Sequence, residues 1–402
     1  MSQTDRLTTG RPFVFSVVFI VFFAGCARAQ VGSSGTDALS LGGSYYYGSF
    51  IANDPRLQYV QDGRTVLGEI SIASQTSGKK EWQRASGNPE IGLAFLYGRS
   101  GSSQYIGSLS SLVPFINFHL YRTGIFALNF RLGAGATWVQ KVFNPETDYK
   151  NLVISTHLNA CINLVLASRI QLLPRTSLDL GVSFTHISNG GIKVPNLGLN
   201  IPSLAAGIRY SLTRPGGPPA KPSDAYPAKL SDTARATANT VTALPATALA
   251  AAAITDKKIH YYVYAFVAGK ESYPIESAVY LVNVFSLEAL KNFSPTGRVG
   301  AGINFTYDRA QTTEVLTRTV YSFSSSKSLW QASVYGVYEY VTGNLSFPLQ
   351  IGYYLYNNYK INTIWQNIGI KYRFSAHWTA GIGLKAHLGN GDFIQGGLGY
   401  RF

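Results

Sequence analysis

The stretch GIFALNFRLGAGATWVQK (124–141) constrains the fold more than any other part of the chain. Phe126, Leu128, Phe130, Leu132, Ala134, Ala136 and Trp138 share one parity, while Ala127, Asn129, Arg131, Gly133, Gly135 and Thr137 share the other. Side chains alternate across an extended strand, so one face is apolar and the opposite face is polar or tiny. The next segment repeats the pattern, with Ile154, Leu158, Ala160, Ile162, Leu164 and Leu166 opposing Ser155, His157, Asn159, Cys161 and Asn163. A soluble sandwich also alternates. Here the segments are long enough to cross a bilayer at a tilt, the turns are short, and aromatics gather near the ends of the apolar face, which points to a transmembrane barrel. Only closed barrels carry β-structure through lipid, because every backbone polar group must find a partner. The composition agrees: 46% hydrophobic, 13% charged, 26 Tyr, 22 Phe and 40 Gly.

Eight candidate strands precede residue 213, near 40–53, 64–75, 89–99, 109–121, 124–141, 152–168, 175–189 and 201–212. A Pro/Ala/Thr-rich, aperiodic stretch, 214–256, then reads as a linker. Eight more candidates follow, near 258–268, 277–290, 297–309, 328–341, 344–357, 362–374, 376–388 and 392–402. The halves end alike. SLAAGIRYSL closes the first and FIQGGLGYRF the second, with Ile208, Tyr210 and Leu212 matching Leu398, Tyr400 and Phe402. The terminal Tyr-x-Phe resembles the C-terminal signal of bacterial outer-membrane barrels. The expected fold is therefore all-β: two tandem eight-stranded transmembrane antiparallel barrels, residues 30–213 and 257–402, the second an internal duplicate. The alternative is one barrel of up to sixteen strands, but adjacent strands need only short turns, and the linker exceeds forty residues.

Residues 1–29 read as a signal peptide. Arg6 and Arg11 precede the apolar run PFVFSVVFIVFFAG, and the small-x-small site ARA ends at Ala29. A lipoprotein signal is the rival reading, with FAGC offering Cys26 for lipidation. Cleavage at Ala29 leaves Cys161 alone, so no intramolecular disulfide can form. The net charge of +14 has no Lys/Arg block or basic helix behind it, which argues against nucleic acid and for a phosphate-rich membrane surface.

One segment breaks the apolar series. In 175–189, Leu178, Leu180, Val182 and Phe184 form the outward face, and His186 and Ser188 continue it. If the strand stays regular, both point to lipid, where polar side chains are expensive and need a reason. If the strand leaves the membrane near Thr185, the motif is a polar loop.

HISNGGIKVPNLGLN (186–200) resembles the active-site segment of the PagL-type lipid A 3-O-deacylases, which are eight-stranded outer-membrane barrels. The strong match covers roughly 153–212, and the region from about residue 40 is compatible with it. The carrying motif is His-x-Ser-Asn-x-Gly followed by Pro-Asn. The resemblance implies lipid A of the bacterial outer membrane as substrate and release of its 3-O-linked acyl chain. It implies His186 as general base, Ser188 as nucleophile, and an oxyanion site using Asn196 and backbone N–H near Gly190 and Gly191. Asn189 matches the motif as a support of the loop. The family places an acid twelve residues after the serine to complete a triad; here Asn200 stands there. An amide can accept a hydrogen bond from imidazole but brings no negative charge. The chemistry is coherent, since ester cleavage needs an activated hydroxyl and a nearby base.

The second half carries no equivalent site. Aligning Gly181 with Gly381 puts Ala386 and Leu388 where His186 and Ser188 stand, and His387 falls on the inward parity with Lys385. His119, His157, His260 and His377 have no metal-ligand spacing, and no cofactor is expected. The expected function is an outer-membrane esterase acting on the 3-O-linked acyl chain of lipid A, with a catalytically silent second barrel. The alternative is a non-enzymatic barrel for transport, adhesion or envelope structure. The sequence carries no signal of oligomeric state.

Overall fold

The structure, a computed structural model, describes residues 38–52, 55–213, 258–272, 275, 278–311, 329–357, 363–387 and 390–402. The expected signal segment with Cys26, nearly all of the expected linker, and Leu388 lie outside the described residues. The first closed barrel comprises β1 (Leu39–Gly48), β2 (Thr65–Gln75), β3 (Glu90–Arg99), β4 (Ser108–Thr123), β5 (Phe126–Val139), β6 (Leu158–Leu173), β7 (Thr176–Ser188) and β8 (Leu199–Ser211). The second comprises β9 (Ile259–Glu271), β10 (Val279–Ser294), β11 (Gly297–Asp308), β12 (Trp330–Thr342), β13 (Leu345–Tyr356), β14 (Ile364–Arg373), β15 (Trp378–His387) and β16 (Asn390–Arg401). All neighbours are antiparallel. β1 pairs with β8, and β16 pairs with β9, so each barrel closes on itself and a single sixteen-stranded cylinder is excluded.

The alternation maps onto inside and outside. On β5, Asn129 and Arg131 are buried in the lumen while Trp138 stands 55% exposed outside. Eight strands enclose a space that side chains just fill. Here the filling is ionic. Arg131 bonds Glu69 at 2.6 Å and also bonds Tyr46 and Asn163, and Arg169 joins Glu90 and Asp179. In the second barrel Lys371 bonds Glu288 at 2.9 Å, and Arg298 bonds Glu339 at 3.1 Å. Burying a charge is tolerable only when it is paired and hydrogen-bonded, and these networks meet that demand. Cys161 is a free, buried lumen residue of β6.

β6 corrects one expectation. It begins at Leu158 rather than near 152, and runs on to Leu173. Val153 and Ile154 are fully buried in a folded loop, where Phe143 N–H donates to the Ile154 carbonyl at 2.8 Å. Ile154 thus has the parity of an outward residue but lies in a loop core. His157 is not a lumen residue: its ring stacks on the exposed Trp138, with centroids 5.1 Å apart. Periodicity cannot separate a buried apolar loop from the start of a strand. His387 does join the lumen group, with Nε2 3.1 Å from the Tyr354 hydroxyl.

The two barrels stand side by side and touch at both ends. At one end Glu271, closing β9, bonds the loop after β7. At the other, Tyr340 of β12 meets Phe118 of β4 edge-on with centroids 5.6 Å apart, and its hydroxyl bonds Ser86.

Candidate active site

Strand register places the site. β7 and β8 pair so that His186 lies opposite Asn200, both on the outer face of the first barrel. Directly opposed residues bring their β-carbons to about 4.5–5.5 Å. The side chains meet: His186 Nδ1 and Asn200 Oδ1 are 2.8 Å apart. As an acceptor, the amide oxygen holds the proton on Nδ1 and leaves the lone pair on Nε2. On the other side β6 places Ala160 opposite Ser188 and Ile162 opposite His186.

The chain turns sharply after Ser188. Gly190 and Gly191 adopt φ of +64° and +79°, a region that disfavours any β-carbon. The turn brings two donors onto one oxygen: Asn196 Nδ2 donates to Ser188 Oγ at 2.8 Å, and Gly190 N–H donates at 3.0 Å. With its oxygen accepting twice, the hydroxyl keeps its own hydrogen to offer elsewhere. Among the described residues no hydrogen bond joins the His186 ring to Ser188. Asn189 holds the loop. Its Nδ2 donates to Ser155 Oγ at 3.0 Å and to the Lys193 carbonyl at 2.8 Å, and its Oδ1 accepts Gly191 N–H at 2.9 Å. Its backbone N–H donates to Asn196 Oδ1 at 3.2 Å. So His186 and Asn200 form one pair, and Ser188, Asn196 and Gly190 form a second cluster beside it. Gly191 N–H is turned into the loop.

Three features here escape sequence reasoning. Gly198, at φ +73°, lies against both clusters: a β-carbon there would come 3.3 Å from His186 Cε1 and 3.7 Å from Ser188 Cβ. Ser155 completes the Asn189 anchor. Glu271 comes from the second barrel; its N–H donates to the Gly191 carbonyl at 3.1 Å and its carboxylate accepts Val194 N–H at 2.6 Å. The positive-φ glycine leaves no mark beyond a common dipeptide. A partner 77 residues away leaves none at all.

The second barrel also covers the face that carries the site. Ser188 is only 5% exposed, and Leu164 on the same outer face only 9%, whereas Val182 is 51% exposed. A β-carbon on Gly190 would collide with Ile394, and one on Gly191 with the Asp392 carbonyl. The pair does point outward, as strand parity requires, but into a cleft between barrels rather than onto a bare cylinder.

Two adjoining closed barrels with apolar exteriors and a polar cluster on one outer face define a membrane-spanning β-barrel with its candidate site outside the lumen. Family models then place it. The model described as lipid A 3-O-deacylase (PagL) matches residues 68–209, and that described as acyloxyacyl hydrolase, C-terminal domain, matches 259–402. The chain belongs to the PagL family of lipid A 3-O-deacylases, and its place is the bacterial outer membrane. A search of curated proteins finds none that matches. Among solved structures, neisserial surface protein A is similar at 10% identity, over 43% of this chain and 95% of that one, with a TM-score of 0.30. The Acinetobacter baumannii outer membrane protein Omp33 is similar at 8% identity, over 91% and 97%, with a TM-score of 0.17.

Proposed function

We propose that this protein hydrolyses the 3-O-linked acyl chain of lipid A in the outer leaflet, with Ser188 as nucleophile and His186 as general base. The observation that carries this reading is the convergence on one outer-face patch of an imidazole held through Nδ1 and a hydroxyl whose oxygen already faces two donors. Ser188 Oγ attacks the ester carbonyl while His186 Nε2 takes the hydroxyl proton. The carbonyl oxygen becomes an oxyanion, and Asn196 Nδ2 and Gly190 N–H, both beside Oγ, move onto it. Preset donors of this kind supply much of the rate of acyl transfer. The imidazolium then protonates the departing sugar 3-oxygen, leaving the acyl group on Ser188. Water, activated by His186, releases the fatty acid and restores the hydroxyl. A site outside the lumen receives its substrate by lateral diffusion, with the acyl chains still in an apolar medium.

In this reading residues 1–29 direct export, 214–256 link the barrels, and the second barrel is a duplicate without a site of its own. The amide at position 200 favours the second reading, a non-enzymatic envelope barrel. Mass spectrometry of lipid A incubated with the purified protein separates the two. Loss of one hydroxyacyl chain, abolished in a folded Ser188→Ala variant, supports the esterase. An unchanged spectrum supports the envelope barrel, and hydrolysis retained by Ser188→Ala would show that another group is the nucleophile.

A further inference from the structure

The cleft between the barrels begins at the candidate site. It has a volume of about 1000 Å³, and His186 and Ser188 stand in its wall. Below them Ile162 and Leu164 line it from the first barrel, and Ile394 and Ile382 from the second. At the site end the Glu271 bonds and the contact of Ile394 with Gly190 close the gap; at the far end the Tyr340–Phe118 contact closes it again. The result is an apolar slot of finite length with a hydroxyl nucleophile at its head. A lone eight-stranded barrel would offer only one wall and leave a bound chain open to bulk lipid on the other side.

We propose that the second barrel is the outer wall of an acyl-chain site: the chain to be cleaved lies in this cleft, and residues of β15 and β16 determine which chain lengths fit. The proposal rests on the esterase reading above. Ile394 stands at the head of the slot, since it packs against Gly190, whose N–H donates to Ser188 Oγ. Ile382 is paired with Gly396, two residues beyond Ile394 along β16, so it lies one same-face step, about 6–7 Å, further down the slot. Ile382 is 56% exposed, so a larger side chain there adds bulk to the cleft and not to a packed core. The occupant is an acyl chain, because the slot is lined by apolar side chains and is continuous with the nucleophile. A structural phospholipid, held without turnover, is the competing occupant.

The test uses the full chain in detergent with p-nitrophenyl esters of four, ten and sixteen carbons. Each variant is first checked for the heat-modifiable gel shift of a folded barrel. Ile394→Trp is expected to lower the ratio of kcat/KM for the ten-carbon over the four-carbon ester at least tenfold. Ile382→Trp is expected to lower the sixteen-carbon ratio by a similar factor with a smaller effect on the ten-carbon ratio. Folded variants with the wild-type chain-length profile would overturn the proposal and identify the cleft as a resting place for structural lipid. A separate arm tests the underlying reading. If Ser188→Ala retains hydrolysis of the four-carbon ester, the esterase assignment fails, whatever the profile of the tryptophan variants.

Discussion

Replacing Asn200 by aspartate tests whether a neutral amide limits the rate of this site. Asn200 Oδ1 stands 2.8 Å from His186 Nδ1. Aspartate has the same reach, so the bond survives the change; glutamate would add a methylene to a contact that is already at full approach. When Ser188 attacks, His186 becomes an imidazolium, and the amide offers it only a dipole. A carboxylate makes a charge-assisted bond, roughly twice as strong as a neutral one. A neutral bond contributes about 1 kcal/mol net and one to a charged group about 1.5–3. The transition state therefore gains about 1–2 kcal/mol, or about five- to thirtyfold in rate. An opposing cost falls on the resting enzyme. Position 200 is 8% exposed, and an ionised carboxylate buried beside a neutral ring is poorly solvated, so the folded barrel loses some stability. The assay is turnover at saturating ester, with folding followed separately by heat-modifiable migration. Asn200→Asp is expected to turn over faster and unfold at a lower temperature, and Asn200→Ala to turn over more slowly than wild type. A folded Asn200→Asp protein with unchanged or slower turnover would refute the reasoning and show that Asn200 does not orient the base.

Three further outcomes follow from the geometry. Glu271→Ala removes the acceptor of the half-buried Val194 N–H, at a cost of about 1 kcal/mol borne by the loop that carries Asn196; kcat should fall while the gel shift of the folded barrels persists, and an undiminished kcat would show that the loop needs no brace. Gly198→Ala places a β-carbon at a left-handed position, which costs about 1–2 kcal/mol, and presses it against His186 Cε1; lower turnover and a lower melting temperature should appear together. A chain ending at Leu212 should still close its barrel, because β1 pairs with β8 without help from the second half. It should hydrolyse a four-carbon ester better, relative to a sixteen-carbon one, than the full chain does; failure to give a heat-modifiable band would mean that the first barrel depends on the second.

Much of this architecture is legible in the sequence for a local reason. Alternation is a property of neighbouring residues, so segments such as 126–138 declare a strand, its two faces and its membrane setting without reference to anything distant. The end of each barrel was readable from the shared spacing of Ile208, Tyr210 and Leu212 with Leu398, Tyr400 and Phe402. Parity aims His186 and Ser188 outward only if the strand stays regular past Thr185, and the run of β7 to Ser188 is what decided that it does. Segment 152–157 shows the limit: Ile154 keeps the parity of a strand residue, yet it is buried in a loop because long-range packing decided the boundary. Closure into two cylinders required pairing between β1 and β8, residues more than 150 positions apart. The partnership of His186 with Asn200 depends on the β7–β8 register, which a one-residue slip would abolish. The docking of the second barrel over the site left no local trace at all. Glu271, Asp392 and Ile394 look like ordinary strand-end and strand residues until the two cylinders are set side by side. Face and periodicity are written in adjacent residues; which surface meets which is decided only when the whole chain has folded and distant apolar faces have found each other.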